Sequence, residues 1–256
     1  MLWSIPDLGN MSKSKISSGK GQLTTAVFNS VGTIMAIASQ DNVIKFWDIS
    51  GAKPTNTDSL KVEGQVKAMV ISDDGRSIYF STETGEINYA DLTNKKITNI
   101  FLSKPATALC LTFSKEKNKL AAGFSDGKIR IFNFNDSSVK AINEHTARVE
   151  HILFNKPGSL LASSSSDKTI RVYDLHKGVD AKPIVLKDHQ VKARSIVFIN
   201  DHMLAAGVAN KSIHIWELSS EKIVESLCPI IKRNLRKSEW EQYVGDGIEY
   251  QKTCNY

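Results

Sequence analysis

Positions 3, 47, 90, 132, 173 and 216 follow one another at intervals of 44, 43, 42, 41 and 43 residues, and all but Ala90 hold an aromatic side chain. Six residues ahead of each later position stands an Asp or a substitute: Asp41 before Trp47, Asp126 before Phe132, Asp167 before Tyr173, Asn210 before Trp216 and, in the weakest copy, Thr84 before Ala90. A beat of this length inside an apolar-polar alternation means stacked copies of one supersecondary unit.

One copy indicates what the unit builds. Residues 148–154 read as a strand, Lys156-Pro157-Gly158 as a turn, 160–165 as a second strand and Asp167-Lys168 as a tight turn. Ile170 and Val172 alternate with Arg171 in a third strand, and a fourth covers 183–186 after His176-Lys177-Gly178. The same order fits 22–62, 65–102, 107–142 and 192–227, so five complete four-stranded units are expected. Small sheets with apolar residues on both faces need a neighbour on each side. Radial stacking supplies them, and the predicted fold is an all-β propeller. Leu2-Trp3-Ser4 falls where a third strand would end, which predicts an array that begins ahead of Met1; closure as a five- or six-bladed ring is the alternative. The predicted division is a blade remnant and loop at 1–21, five blades at 22–227 and an extension with a short helix at 228–256.

Phe46-Trp47-Asp48, Ile131-Phe132-Asn133, Val172-Tyr173-Asp174 and Ile215-Trp216-Glu217 resemble the Trp-Asp signature of the WD-repeat family, and Glu144-His145 and Asp188-His189 resemble part of its Gly-His signal. The resemblance covers residues 1 to 227. It implies a structural network of a His, a strand Ser or Thr, the turn Asp and an indole in series. Here the members would be His145, Ser163 or Ser165, and Asp167, with the phenol of Tyr173 in place of the indole N–H. The following unit keeps His189 and Trp216 but has Asn210. Asp41, Trp47, Asp126 and Phe132 take the same structural positions in their units. A hydrolytic triad of the same residue types would need a nucleophile turn and an oxyanion hole, and no G-x-S-x-G occurs.

Composition narrows the remaining classes. The 256 residues are 41% hydrophobic and 23% charged, with no apolar run long enough to span a bilayer and no basic-then-apolar leader at the start, so a cytoplasmic chain is expected. Cys110, Cys228 and Cys254 are few, odd in number and without CxxC spacing; thiols are expected, even if the tail folds back to bring Cys228 near Cys254. His151, His176, His202 and His214 form no metal-ligand pattern, Gly19-Lys20-Gly21 lacks the rest of a P-loop, and neither metal nor cofactor is expected. The net charge of +6 is spread along the chain, with clusters only at 13–20 and 231–237, so specific nucleic-acid binding is not the favoured reading.

Aligning Phe28, Ile71, Phe113, Phe154 and Phe198 puts the start of every first strand on one ring face. Gln22, Thr24, Gln65, Lys67, Thr107, Arg148, Glu150, Lys192 and Arg194 fall there, joined from the second turns by Gln40, Glu83, Ser125 and Ser166. In the family this face takes peptides and protein surfaces. The cations of the later units suggest an acidic patch as ligand. The function expected is a non-enzymatic protein-interaction scaffold or sensor, the alternatives being a basic nucleic-acid-associated scaffold and a propeller hydrolase.

The tail breaks the beat at Cys228. Ser238 and Glu241 have capping-box spacing for a helix over 239–244, ended by Gly245 and Gly247. The string 234–240, with Tyr243-Val244-Gly245 and residues 250–254, resembles the extension that follows WD-repeat arrays in large bacterial signalling proteins, which carry STAND-type NTPase or caspase-like effector domains. The tail is expected to cap the last blade; docking of a partner through Trp240, Tyr243 and Tyr250 is the alternative.

Overall fold

The computed structural model describes residues 2–7, 10–14, 21–51, 53–178, 181–187, 192–231, 233–243, 249–252 and 254. A first pair, β1 (Leu2–Asp7) and β2 (Asn10–Ser14), forms its own antiparallel sheet. Blade 1 follows with β3 (Leu23–Phe28), β4 (Ile34–Ser39), β5 (Val43–Asp48) and β6 (Thr55–Lys61). Blade 2 holds β7 (Val66–Ile71), β8 (Ser77–Thr82), β9 (Glu86–Asp91) and β10 (Lys96–Leu102). Blade 3 holds β11 (Ala108–Ser114), β12 (Lys119–Phe124), β13 (Ile129–Asn133) and β14 (Ser138–Ile142). Blade 4 holds β15 (Val149–Phe154), β16 (Leu160–Ser165), β17 (Ile170–Asp174) and β18 (Ile184–Leu186). In each of these blades the strands pair antiparallel in chain order.

Blade 5 departs from the expected four strands. It has β19 (Ala193–Asn200), β20 (Met203–Val208) and β21 (Ile213–Glu217), and the stretch expected as a fourth strand is α1 (Ser220–Ile231). Ser219 caps this helix, its Oγ accepting from the Lys222 amide at 3.3 Å, while Ile223, Val224 and Leu227 recur at helical spacing. A second helix, α2 (Lys237–Tyr243), starts two residues earlier than expected. Glu239 rather than Glu241 closes its cap, accepting from the Arg236 amide at 2.8 Å.

The second turn of every blade puts the residue after the Asp position in the left-handed region: Asn42 at φ 60°, Gly85 at 87°, Gly127 at 86°, Lys168 at 66° and Lys211 at 69°. Glycine is required at two of them, because a Cβ would lie 2.3 Å from the Ser103 carbonyl oxygen at Gly85 and 2.6 Å from that of His145 at Gly127.

The first strands touch in series, β3 to β7, β7 to β11, β11 to β15 and β15 to β19. The core is divided among the four joints between blades. At each joint one apolar cluster brings the third-strand Ile44, Ile87, Ile129 or Ile170 of one blade against Val66, Ala108, Val149 or Ala193 of the next. Every inner blade thus has an incoming face, covered by the blade before it, and an outgoing face, covered by the blade after it. Ala90 is buried in the first joint, where Phe46 and Phe80 supply the bulk that its position lacks. Among the described residues no helix is long and apolar enough to cross a membrane.

Candidate functional site

One backbone bond repeats in all five blades and builds the face where the first strands begin. The residue ahead of the first strand accepts from the amide at the second turn: Gln22 from Gln40 at 3.0 Å, Gln65 from Glu83 at 2.9 Å, Thr107 from Ser125 at 2.9 Å, Arg148 from Ser166 at 3.0 Å and Lys192 from Ala209 at 3.1 Å. These bonds set the expected residues side by side within each blade. Side chains reinforce the first three pairs, Gln40 Oε1 and Glu83 Oε1 accepting from the Gln22 and Gln65 amides at 3.4 Å and Ser125 Oγ from the Thr107 amide at 3.0 Å. Thr24 is half-buried, and its hydroxyl has no hydrogen-bond partner.

Charges on this face are partly neutralised within blades. Lys67 bonds Gln65 and lies 3.7 Å from the Glu83 carboxylate. Arg148 Nε donates to Glu150 at 2.8 Å and to Ser166 at 3.3 Å, and the Ser166 hydroxyl also donates to Glu150. Burial of Glu150 works against its ionisation, yet hydrogen bonds from Ser166 and Arg148, with the charges of Arg148 and Lys192, hold its pKa below the ordinary carboxylate value. Lys192 and Arg194 are exposed at the start of β19.

The structural positions of the beat behave differently in each blade. In blade 4, His145 Nδ1 meets Asp167 Oδ2 at 2.8 Å and Nε2 meets Ser163 Oγ at 2.8 Å. Ser163 is therefore the network hydroxyl, while Ser165 Oγ donates to the Ala147 carbonyl at 2.9 Å. Burial lowers the His145 pKa and outweighs the Asp167 carboxylate that pulls the other way. The neutral ring then donates from Nδ1 to Asp167 and accepts at Nε2 from Ser163. At Asp167 burial opposes the charge, but bonds from Thr169 and His145 bring its pKa to about 2. Tyr173 lies beside Ser163 but its buried hydroxyl makes no hydrogen bond of ordinary geometry, and burial pushes its pKa up to about 12.

The described residues of the other blades pair differently. In blade 1 the Ser39 hydroxyl donates to Asp41, leaving the buried Trp47 Nε1 without a partner. Asp126 accepts from the Lys128 amide at 3.1 Å and lies 3.4 Å from its ammonium, and Phe132 is buried in the joint ahead of it. Asn210 Oδ1 accepts from Ser212 Oγ at 2.6 Å, and Trp216 stacks on His214 with ring centroids 5.6 Å apart. His189 lies outside the described residues.

The ring face on the opposite side holds residues that the sequence marks only as points of register. Phe28, Phe113 and Phe154, at the ends of their first strands, line a cavity of about 820 Å³ with Val70, Asp73 and Lys156. The residue after two of these aromatics clamps neighbouring blades. Asn29 Nδ2 donates to the Asp73 carbonyl at 2.9 Å, and Asn155 Nδ2 to the Asp201 carbonyl at 3.2 Å. The string Phe-Asn-x-x-Gly, present at 28–32 and 154–158, is the sequence signal for this clamp.

The tail closes on itself. The expected thiols of Cys228 and Cys254 are instead a disulfide with Cα atoms 5.6 Å apart, because Asn234 and Cys254 exchange two hydrogen bonds of 2.8 and 2.9 Å that fold the chain back. Tyr250 donates to the Leu235 carbonyl at 2.8 Å and meets Trp240 edge-on at 5.6 Å. The Arg233 guanidinium bonds both oxygens of Glu239 and, with the Arg236 amide, holds that carboxyl at a pKa of about 2. Cys110 stays a free thiol, pushed up to about 12 by burial. The expected ends of α2 at Gly245 and Gly247 lie outside the described residues.

Comparison with known proteins agrees with this geometry. The family model described as "WD domain, G-beta repeat" matches residues 13–48, 99–133 and 136–174. Each match begins in or just ahead of the last strand of one sheet and runs through the first three strands of the next. Among curated relatives, the WD repeat-containing protein SL1-17 of Schistosoma mansoni is 29% identical over 59% of this chain and 50% of its own length. Autophagy-related protein 16 of Arabidopsis thaliana is 22% identical over 86% of this chain and 43% of its own. Apoptotic protease-activating factor 1 of Mus musculus is 24% identical over 87% and 17% respectively. The chain spans half or less of the length of each of these relatives. Three stretches of the chain thus resemble WD repeats, and the repeated four-stranded blade gives it a propeller architecture like that of the family.

Proposed function

We propose that the chain is a non-enzymatic recognition module of a signalling protein, taking an acidic protein segment on the face where the first strands begin. The observation that carries this reading is the uneven charge of that face. Lys67 is offset by Glu83, whereas blades 4 and 5 set Arg148, Lys192 and Arg194 against Glu150 alone. An acidic ligand gains most there. A larger protein around the module, with an effector domain, is supported by the match to apoptotic protease-activating factor 1, of which this chain covers 17%. The tail string, through its resemblance to the extensions of bacterial signalling proteins, supports a bacterial setting.

Catalysis is not part of this reading, because His145, Ser163 and Asp167 have almost no exposed side-chain surface through which a substrate could reach them. The test is a titration of the purified chain with an Asp/Glu-rich peptide. The charge-reversed double variant Lys192→Glu with Arg194→Glu should bind at least roughly tenfold more weakly; equal affinity would count against the assigned face. Turnover of ester, peptide or nucleotide substrates that Ser163→Ala abolishes would overturn the non-enzymatic reading.

A further inference from the structure

The third-strand Ile44, Ile87, Ile129 and Ile170 are 0% exposed, each sealed on an outgoing face by the next blade. Their counterpart in blade 5, Ile213, is 75% exposed, and Ile215 beside it is 56% exposed where Phe46, Ile131 and Val172 are buried. Val197 on β19 is exposed as well. At the other end of the array the situation is mirrored. Leu23 on the incoming face of blade 1 is 52% exposed, while Val66, Ala108, Val149 and Ala193 in the same position are buried. Phe28, at the far end of β3, is exposed too.

We propose that these two end faces are the halves of one heterologous interface, and that a second copy of this chain sets its blade 1 against blade 5 of the first. Complementarity is the argument for that occupant. The same pair of faces already closes four joints inside the molecule, each with its own apolar cluster. One chain therefore displays both a matched donor and a matched acceptor surface. Apolar patches left on a soluble protein mark sites of association. A patch complementary to another elsewhere on the same molecule joins copies head to tail, closing into a ring or growing as the rotation dictates. The charged face described above takes no part in this contact, so the two readings stand or fall separately.

Sedimentation velocity over a concentration series tests the proposal. The purified chain should sediment with a mass of two copies or more and dissociate on dilution. The double variant Ile213→Glu with Ile215→Glu should be monomeric, and so should Leu23→Glu, with far-UV circular dichroism unchanged because all three side chains project from the surface. Mixing the two variants should restore a single joint and give a 1:1 heterodimer, since each keeps the half that the other has lost. A wild type that stays monomeric at the highest concentration overturns the proposal, whether closure within the chain, the β1–β2 hairpin or further blades covers the faces instead. Association that persists in both variants, or no heterodimer on mixing, overturns it equally.

Discussion

At the residue scale, blade 4 illustrates how a hydrogen-bond series survives the change of one member. Asp167, His145 and Ser163 are linked, but the buried Tyr173 hydroxyl beside Ser163 makes no hydrogen bond of ordinary geometry. A buried polar atom without a partner costs more than an apolar replacement of the same shape. Tyr173→Phe should therefore leave stability unchanged or raise it by about 1 kcal/mol, read as the midpoint of chemical unfolding; a loss of that size would mean the phenol is bonded after all. The pH dependence follows from the lowered pKa of His145. The unfolded chain takes up a proton near pH 6.5 that the folded chain refuses, so stability is full above that value and falls as pH drops below it. Asp167 adds a second loss as pH falls from its unfolded value toward about 2. His145→Asn should flatten the thermal-unfolding profile between roughly pH 7 and 5; an unchanged slope there would refute the assignment to His145.

Elements built from alternation and turn residues are legible in the sequence, and those at the end of the array, where the repeat gives way to the tail, are not. Ile170 and Val172 flanking Arg171 fix β17, and the Asp-led second turns recur because their geometry is local. Analogy with the other units puts a fourth strand at the end of the 192–227 unit, although Ser219 and the spacing of Ile223 and Leu227 carry a helix signal. The cavity-lining aromatics serve only as register marks in the sequence, because alternation says which side chains point inward but not at which end a ring opens. The disulfide is hidden for a different reason: composition bears on redox setting, whereas Asn234 bonding Cys254 is a tertiary event. That crosslink closes a separation of 26 residues, a loop for which chain entropy gives about 3.5 kcal/mol. Cys254→Ser should make 233–254 the first site of limited proteolysis while the blades resist. Equal cleavage of variant and wild type would mean the tail holds by its Trp240–Tyr250 and Arg233–Glu239 contacts alone.

At the scale of the whole molecule, stability is distributed along an arc. Among the described residues, blades 2, 3 and 4 are covered on both faces, whereas blades 1 and 5 are covered on one. Repeat arrays lose order from uncovered ends. Amide exchange in dilute protein should accordingly be faster in β19–β21 and β3–β6 than in β11–β14 by roughly tenfold or more; uniform rates would point to a closed ring. The offset between sequence repeat and sheet reaches further. Each family match begins in or just ahead of the last strand of one sheet and runs through the first three strands of the next. Tandem duplication or loss of one such period would transplant a joint whole, leaving every remaining sheet with its own fourth strand. Copy number is thereby free to drift in inheritance without a broken blade, and blade 5, whose third strand is followed by α1 in place of a lent strand, carries the mark of that borrowing.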